Sequence, residues 1–370
     1  MLKSYALTAR FAAAVIGAAV LGLAAKHAAA RIIMVRGTMR TEVATTDRRV
    51  IHIPPGTQRF RLIIPKYPTF SDGPNDQQVI SCTPTFSVQP TSMQDAVDSY
   101  GNHYIDATWL SPPAGEIVEQ TQARVTLSLN AAPPSKTAVY PIAPADIPTE
   151  AKPYLQATAL AQSDNPLIKH AAQEAVGGRT LKSESAVVDA VVSWIVDHLR
   201  YEPDHGRYDA VTTLQYGQGE CTGYSHLALA MLRSLGIPAR FVAGLKFQEP
   251  YAVAGQGRFY SLNMRNRTGF LYHAWIQVYF PGQGWVAYDP QGDFGFVDTR
   301  YVAFAVGPDK ESLPEGRFIS TYASLNNPAA FSADSYATVD VLSDKVNLKA
   351  EAIVDRGPVK PGDYLARAPR

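Results

Sequence analysis

Apolar and polar positions alternate with a period of two through much of the stretch from Met39 to Asn130, most cleanly where Val125, Leu127 and Leu129 are separated by Thr126 and Ser128. That period puts one set of side chains on one face of an extended chain and predicts half-buried strands. They are expected over Arg49 to Ile53, Arg59 to Ile64, Val79 to Val88, His103 to Leu110 and Glu116 to Leu129. Pro54-Pro55-Gly56, Asp72-Gly73-Pro74 and Tyr100-Gly101-Asn102 supply turns between them, since proline presets φ and glycine accepts backbone angles closed to other residues. Several short strands at this spacing predict a small β-sandwich.

Pro133, Pro134, Pro141, Pro144, Pro148 and Pro153 then crowd a short stretch, removing backbone donors and favouring extended chain. Beyond them the apolar period lengthens to about 3.6. Asp164 or Asn165 can cap a helix that begins at Pro166 and ends at Gly177-Gly178, with proline at the first position and glycine past the last. Ser183 opens a longer helix with Val188, Val191, Val192, Ile195 and Leu199 on one face and Tyr201 at its end. A third helix begins near Cys221, carries Leu227, Met231 and Leu235, and stops at Gly236 before Pro238. Strands follow over Arg240 to Phe247, His273 to Phe280 and Trp285 to Asp289, with weaker strand signals at Thr338 to Leu342 and Val346 to Val354 and a loose basic tail from Arg356 to Arg370. Helices first and an antiparallel sheet after is an α+β order. The expected division is a leader over 1–30, a β-rich domain over 31–132, a proline-rich linker over 133–153, an α+β domain over 154–310, and an extension and tail over 311–370.

Composition adds three constraints. Of 370 residues, 46% are hydrophobic and 18% charged, a globular balance rather than a disordered or fibrous one. Lys3 and Arg10, the apolar run from Phe11 to Ala25, and Ala28-Ala29-Ala30 have the three-part layout of a cleaved export signal. The apolar run is short for a membrane span, which takes about 20 residues. Export to the periplasm or beyond is therefore expected, with no stable membrane insertion once the leader is cut and a tether if it is not. Without the leader, 31 basic and 33 acidic residues remain, a net charge of −2, which gives no electrostatic reason to expect nucleic acid or an anionic membrane as partner. Cys82 and Cys221 are the only cysteines, so the chain is no disulfide scaffold. A bridge between them would tie a strand to the start of a distant helix, and a functional Cys221 with an incidental Cys82 is the expectation.

Cys221 stands where an apolar helix starts. Unpaired backbone N–H groups and the helix dipole favour an anion there, so a stabilised thiolate is expected, with the same amides able to hold an oxyanion. Its setting is Gly219-Glu220-Cys221-Thr222-Gly223-Tyr224-Ser225-His226-Leu227, followed by Leu235-Gly236-Ile237-Pro238-Ala239-Arg240, then His273-Ala274-Trp275, then Trp285-Val286-Ala287-Tyr288-Asp289-Pro290. These separated motifs, in this order, resemble the core of the transglutaminase-like superfamily over about Pro153 to Arg300. The resemblance implies a papain-like or transglutaminase-like catalytic core preceded by the β-sandwich-like domain, with Cys221 as nucleophile, His273 as base and Asp289 as the residue that orients the histidine. With Tyr279 opposite Gln283 in the hairpin that joins their strands, His273 would stand directly across from Asp289.

Breaking an amide needs a thiolate, a base that later protonates the leaving amine, and donors for the oxyanion. Cys221, His273, Asp289 and the helix-start amides provide that set. The expectation is an exported thiol peptidase or amidase acting through a thioacyl intermediate on protein or peptide substrates, envelope proteins and peptidoglycan peptides among them. Glutamine-dependent cross-linking is the second reading, and a non-catalytic binding or scaffold role the third. For the second oxyanion donor, Tyr201 and Gln215 are both open. His226, five positions past Cys221, points away from it on a helix and reads as a core histidine; Asp293 is a rival to Asp289; His198 and His205 read as surface residues. No spacing typical of metal ligation occurs, and no metal or cofactor is expected.

Overall fold

A computed structural model describes residues 29–71, 73–132, 138–177, 181–202, 208–247, 249, 251–255, 258–262, 272–291, 297–314, 318–322 and 332–358. The period-two region folds as two stacked sheets built from β1 (Ala29–Ile53), β2 (Thr57–Pro65), β3 (Asn75–Phe86), β4 (Ser92–Val97), β5 (His103–Leu110) and β6 (Gly115–Ala131). Ile51, Ile53, Phe60, Leu62, Ile64, Ile105, Ala107, Trp109 and Ile117 interleave between the sheets, as the inward set of a sandwich must. The stretch expected from Arg49 to Ile53 is only the end of β1, which runs for 25 residues, and β4 adds a strand the sequence pattern did not reveal. Pro84 lies in β3, at the edge of its sheet, where a missing donor costs no ladder bond. The leader falls on residues outside the described ones, except that Ala29 and Ala30 already belong to β1.

The helical region contains α1 (Pro166–Val176), α2 (Glu184–His198), α3 (Ala210–Tyr216) and α4 (Cys221–Ser234). Asn165, rather than Asp164, caps α1, its side chain accepting from the Leu167 amide at 2.9 Å, and Gly177 closes the helix in the left-handed region at φ 62°. The α2 face carrying Val188, Val191, Val192, Ile195 and Leu199 is buried against α1 and α4 in one apolar cluster. The short parallel pair β7 (Arg200–Tyr201) and β8 (Gln218–Gly219) flanks α3.

After α4 come β9 (Ala239–Lys246), β10 (Tyr251–Gly255), β11 (Arg258–Leu262), β12 (Tyr272–Phe280), β13 (Gly284–Tyr288), β14 (Tyr301–Gly307), β15 (Phe318–Tyr322) and β16 (Ser332–Pro358). Strands β13-β12-β9-β14 form an antiparallel sheet. One face, with Phe241, Ala243, Ala274, Ile276 and Val278, packs on the helices. The other carries Val242, Trp275, Ala287, Tyr301 and Ala303.

The C-terminal segment departs most from expectation. Instead of two short strands and a loose tail, β16 is continuous and pairs antiparallel with β1 from Ala29↔Pro358 to His52↔Ser332, inside the six-stranded sheet of the sandwich. Arg356, Gly357 and Pro358 belong to it, and the remainder of the expected tail is outside the described residues. The sandwich is tied to the β13-β12-β9-β14 sheet by polar contacts. Gln77 both donates to the Ala303 carbonyl at 3.0 Å and accepts from the Ala303 amide at 2.8 Å. Asn102 does the same with Val306, at 2.7 and 2.8 Å. Two side-chain amides thus stand in for a missing neighbour strand along the β14 edge, where unpaired backbone groups would otherwise be buried. The phenol of Tyr272 donates to Asp47, which also accepts from Arg49.

Candidate active site

Placement of Cys221 begins with α3. Asp209 caps it, accepting from the Thr212 amide at 3.0 Å, and Thr213 projects toward the start of α4. A Cβ at Gly223 would lie 2.7 Å from the Thr213 hydroxyl, and one at Gly219 would lie 3.1 Å from its methyl. The glycines that bracket Cys221 are therefore spaces into which α3 fits, and this contact sets the entry of the chain into α4. Cys221 is the first residue of that helix and is partly exposed. Both Cys82 and Cys221 are free thiols.

The sulfur lies near β12, where the Ala274 backbone amide and the Thr222 side chain both favour its ionised form. His273 immediately precedes Ala274 on that strand. His273 Nε2 is 2.9 Å from Asp289 Oδ2. An ionised carboxylate only accepts, so Nε2 carries the proton and Nδ1 the lone pair. The ring is flanked by Trp275 and Tyr301, at 6.3 and 5.8 Å between centroids.

The hairpin register differs from expectation. Phe280, not Tyr279, opens the turn, facing Gly284, and Ile276 faces Tyr288. Asp289 follows β13 and lies diagonal to His273 rather than straight across. A shift of two residues preserves the face, as a shift of one would not, and the carboxylate still reaches the ring.

Asp289 is more heavily engaged than the sequence revealed. Its Oδ2 also accepts from Lys246 Nζ at 2.8 Å and Tyr301 Oη at 2.7 Å, and its Oδ1 accepts from the Gln291 amide at 3.1 Å. Lys246 is 0% exposed. It lies on β9 two residues beyond Gly244, which pairs with His273, and Tyr301 faces it from β14. Lys246, His273, Asp289 and Tyr301 thus converge from four chain segments. A Cβ at Gly244 would meet the Trp275 ring at 2.6 Å and the Val302 carbonyl at 2.0 Å, so only glycine leaves the Trp275 ring its place beside His273. The sequence signal for Lys246 was a single cation closing the apolar run from Phe241; for Tyr301 there was none.

The charges here oppose a thiolate–imidazolium pair. Burial pushes the Cys221 thiol up to about 12, and the Glu220 carboxylate, with Oε2 3.8 Å from the sulfur, adds to the effect. The Ala274 amide pulls the other way without prevailing. Burial and Glu220 thus oppose the helix-start thiolate expected from the sequence. Burial likewise depresses His273; Asp289 opposes this and Lys246 reinforces it. Burial disfavours the ionised form of Asp289, yet Lys246 and His273 together hold it well below the usual carboxylate range. Both Cys221 and His273 are therefore shifted toward their neutral forms.

The remaining candidates separate cleanly. His226 is buried with both nitrogens engaged, Nδ1 with the Tyr208 carbonyl at 2.6 Å and Nε2 accepting from the Lys310 amide at 3.2 Å, and burial lowers it to about 4. His198 stacks on Trp194 with Nδ1 2.7 Å from that residue's carbonyl. Tyr201 pairs through its backbone with Gly219, two residues before Cys221, whereas Gln215 is exposed near the end of α3. Asp293 and His205 lie outside the described residues.

Residues 169–290 match the model of the transglutaminase-like superfamily core. Over 139 residues the chain is 32% identical to the uncharacterized protein ML0607 of Mycobacterium leprae, covering 36% of this chain and 45% of that one. Over 96 residues it is 41% identical to the uncharacterized protein YebA of Bacillus subtilis, covering 25% and 12%. The chain thus spans less than half the length of either relative. A crystal structure of a candidate cysteine protease from Cytophaga hutchinsonii superposes with a TM-score of 0.64 at 15% identity, over 89% of this chain and 98% of that one. The shared fold therefore includes the sandwich as well as the core. Among the described residues no helix is long and apolar enough to cross a membrane.

Proposed function

We propose that the protein is an exported cysteine hydrolase that breaks amide or peptide bonds through a thioacyl intermediate, with Cys221 as nucleophile, His273 as base and Asp289 as the residue that orients and electrostatically supports the histidine. The observation that carries this reading is the 2.9 Å bond from His273 Nε2 to Asp289, with Cys221 near enough to the residue after the histidine, Ala274, for that residue's amide to favour the thiolate. Nδ1 of His273 is then the nitrogen left to exchange a proton with the thiol.

With Cys221 and His273 both shifted toward their neutral forms, His273 acts as a general base during attack. Sγ bonds to the carbonyl carbon as its proton passes to Nδ1. The helix-start amides at Cys221 receive the charge on the carbonyl oxygen. Collapse of the tetrahedral species breaks the C–N bond, and the imidazolium gives its proton to the leaving amine. Water, deprotonated by His273, next attacks the thioester; the C–S bond breaks and the proton returns to sulfur. A primary amine in place of water would give a cross-link.

The export part of the reading rests on the basic, apolar and small-residue layout of residues 1–30, and it makes envelope proteins and peptidoglycan peptides the substrates to try first. The test is incubation of wild type and Cys221→Ala with an envelope extract, with and without excess primary amine, following product masses. Wild type is expected to add water across amide bonds, Cys82→Ser to behave as wild type, and Cys221→Ala to be inert. Undiminished turnover by Cys221→Ala would sink the mechanism, and dominant amine incorporation at modest amine concentration would replace hydrolysis by cross-linking.

A further inference from the structure

Glu220 occupies the N-cap position of α4, immediately before the nucleophile. A polar residue there commonly turns back to accept a free amide of the first turn. Glu220 does not: it makes no side-chain cap bond, and its Oε2 approaches the Cys221 sulfur instead, at 3.8 Å. It is partly exposed, as Cys221 is, so both line the mouth of the site.

Among the described residues, no lysine, arginine or histidine lies within ion-pair distance of its carboxylate, and Lys246, the buried cation of the site, is committed to Asp289. An anion held here works against the nucleophile, because it disfavours the thiolate that must form. His273 is the other group it acts upon, where it favours the charged imidazole; Asp289, Lys246 and the Thr222 hydroxyl complete the polar surroundings of the sulfur. A partly exposed carboxylate that opposes the thiolate beside it, with no cationic partner among the described residues, has the chemistry to receive a cation from a substrate.

We propose that Glu220 is a specificity-determining residue that selects substrates carrying an ammonium group beside the scissile carbonyl, an inference that rests on the cysteine-hydrolase reading above. A bound ammonium would pair with Oε2, as a carboxylate and an alkylammonium do, and would at the same time cancel the charge that holds the thiol protonated. Binding and activation of the nucleophile are then one event. Neutral substrates meet a sluggish thiol.

Two chloroacetamides of matched size, one with an aminoethyl and one with a hydroxyethyl tail, test this without knowledge of the natural substrate. Each alkylates a cysteine by forming an S–C bond, releasing chloride, with the thiol proton passing to a base. Mass spectrometry of the intact full-length protein, followed by digestion, reads Cys221 and Cys82 separately. The aminoethyl probe is expected to label Cys221 at least about tenfold faster than the hydroxyethyl probe, a margin that corresponds to about 1.4 kcal/mol, with no such difference at Cys82. Glu220→Gln should erase the difference by slowing the cationic probe and not the neutral one. A purely structural role for Glu220 would slow both alike. Equal labelling of Cys221 by the two probes in wild type, still faster than Cys82, overturns the inference and leaves the hydrolase reading intact. Labelling of Cys221 no faster than Cys82 by either probe overturns that reading and the inference with it. The wild-type comparison stands by itself should Glu220→Gln fail to fold.

Discussion

Lys246 puts a positive charge where the imidazole would become positive, and Glu220 puts a negative one where the sulfur would become negative. Lys246 thus disfavours the imidazolium and Glu220 the thiolate, and burial opposes both charged forms. In protein carrying Cys82→Ser, the ultraviolet absorbance of the thiolate should therefore be absent at neutral pH and appear only as pH approaches about 12. Absorbance already present near neutrality would mean a resting ion pair. The sign for stability follows: a thiol raised in the folded state contributes fully below its unfolded value, about 8.5, and the contribution is lost as pH rises toward 12. For Asp289, held low, the contribution is full above about pH 4 and is lost as pH falls toward the folded value. Lys246→Met removes the cation that depresses His273. The acid limb of the rate profile should move to higher pH, and chemical denaturation should show a loss of about 3 kcal/mol or more, because the Asp289 carboxylate stays buried with one charge partner fewer. An unmoved acid limb would show that Lys246 does not tune the base.

Thr213 and Gly223 set one element against another, and their contact explains why glycine brackets the nucleophile. Gly223→Ala should cost about 1–3 kcal/mol, since the new Cβ must displace a β-branched side chain. Combining it with Thr213→Ala should recover most of that loss, and a double-mutant cycle by urea unfolding measures the coupling; additive losses would mean that the two residues do not compete for one space. The elements visible in the sequence were those whose signals are local. Helices α1, α2 and α4 announce themselves by apolar period and by Asn165, Ser183 and Gly236 at their ends. Helix α3 did not: it is seven residues long, has two threonines, and is held by contact with α4 rather than by propensity. Strand β16 read as fragments because its apolar alternation, Ala337, Val339 and Val341 and then Val346 and Leu348, breaks around Leu342, where the register against β1 shifts, and its continuity comes from pairing with β1. Cys221, His273 and Asp289 could be picked out by motif. The hairpin register could not, because it turns on which residue opens the turn, and Tyr301 reaches Asp289 only through a strand pairing that no local pattern encodes.

At the scale of the whole molecule, sandwich and core share a hub at Arg300. Its guanidinium is buried and forms a two-pronged bond to Asp344 of β16 at 3.0 and 2.7 Å, a bond to Thr41 of β1 at 2.9 Å, and a bond to the Glu249 carbonyl at 2.9 Å. Thr299 extends the group by its 2.6 Å contact with Thr41. Arg300 directly precedes β14, whose first residue, Tyr301, donates to Asp289. The first and last strands of the sandwich therefore meet, through one side chain, the segment that steadies the histidine's partner. Gln77 and Asn102 reinforce the same strand from β3 and the turn before β5. Such coupling predicts that the sandwich and the core unfold together. Asp344→Ala leaves a guanidinium almost without solvent and without its carboxylate, a loss of about 3–5 kcal/mol for a buried pair, and the solvent reaching Asp344 places the expected cost at the lower end. Because Asp344 touches none of the reacting groups, a change in turnover on its removal must travel through Arg300 and Tyr301. The expected outcome is one cooperative unfolding transition at lower urea, followed identically by tryptophan fluorescence and by far-ultraviolet circular dichroism, with a reduced kcat and little change in KM. Two separate transitions, or transitions that differ between the two probes, would show that the sandwich is an independent neighbour of the core rather than its brace.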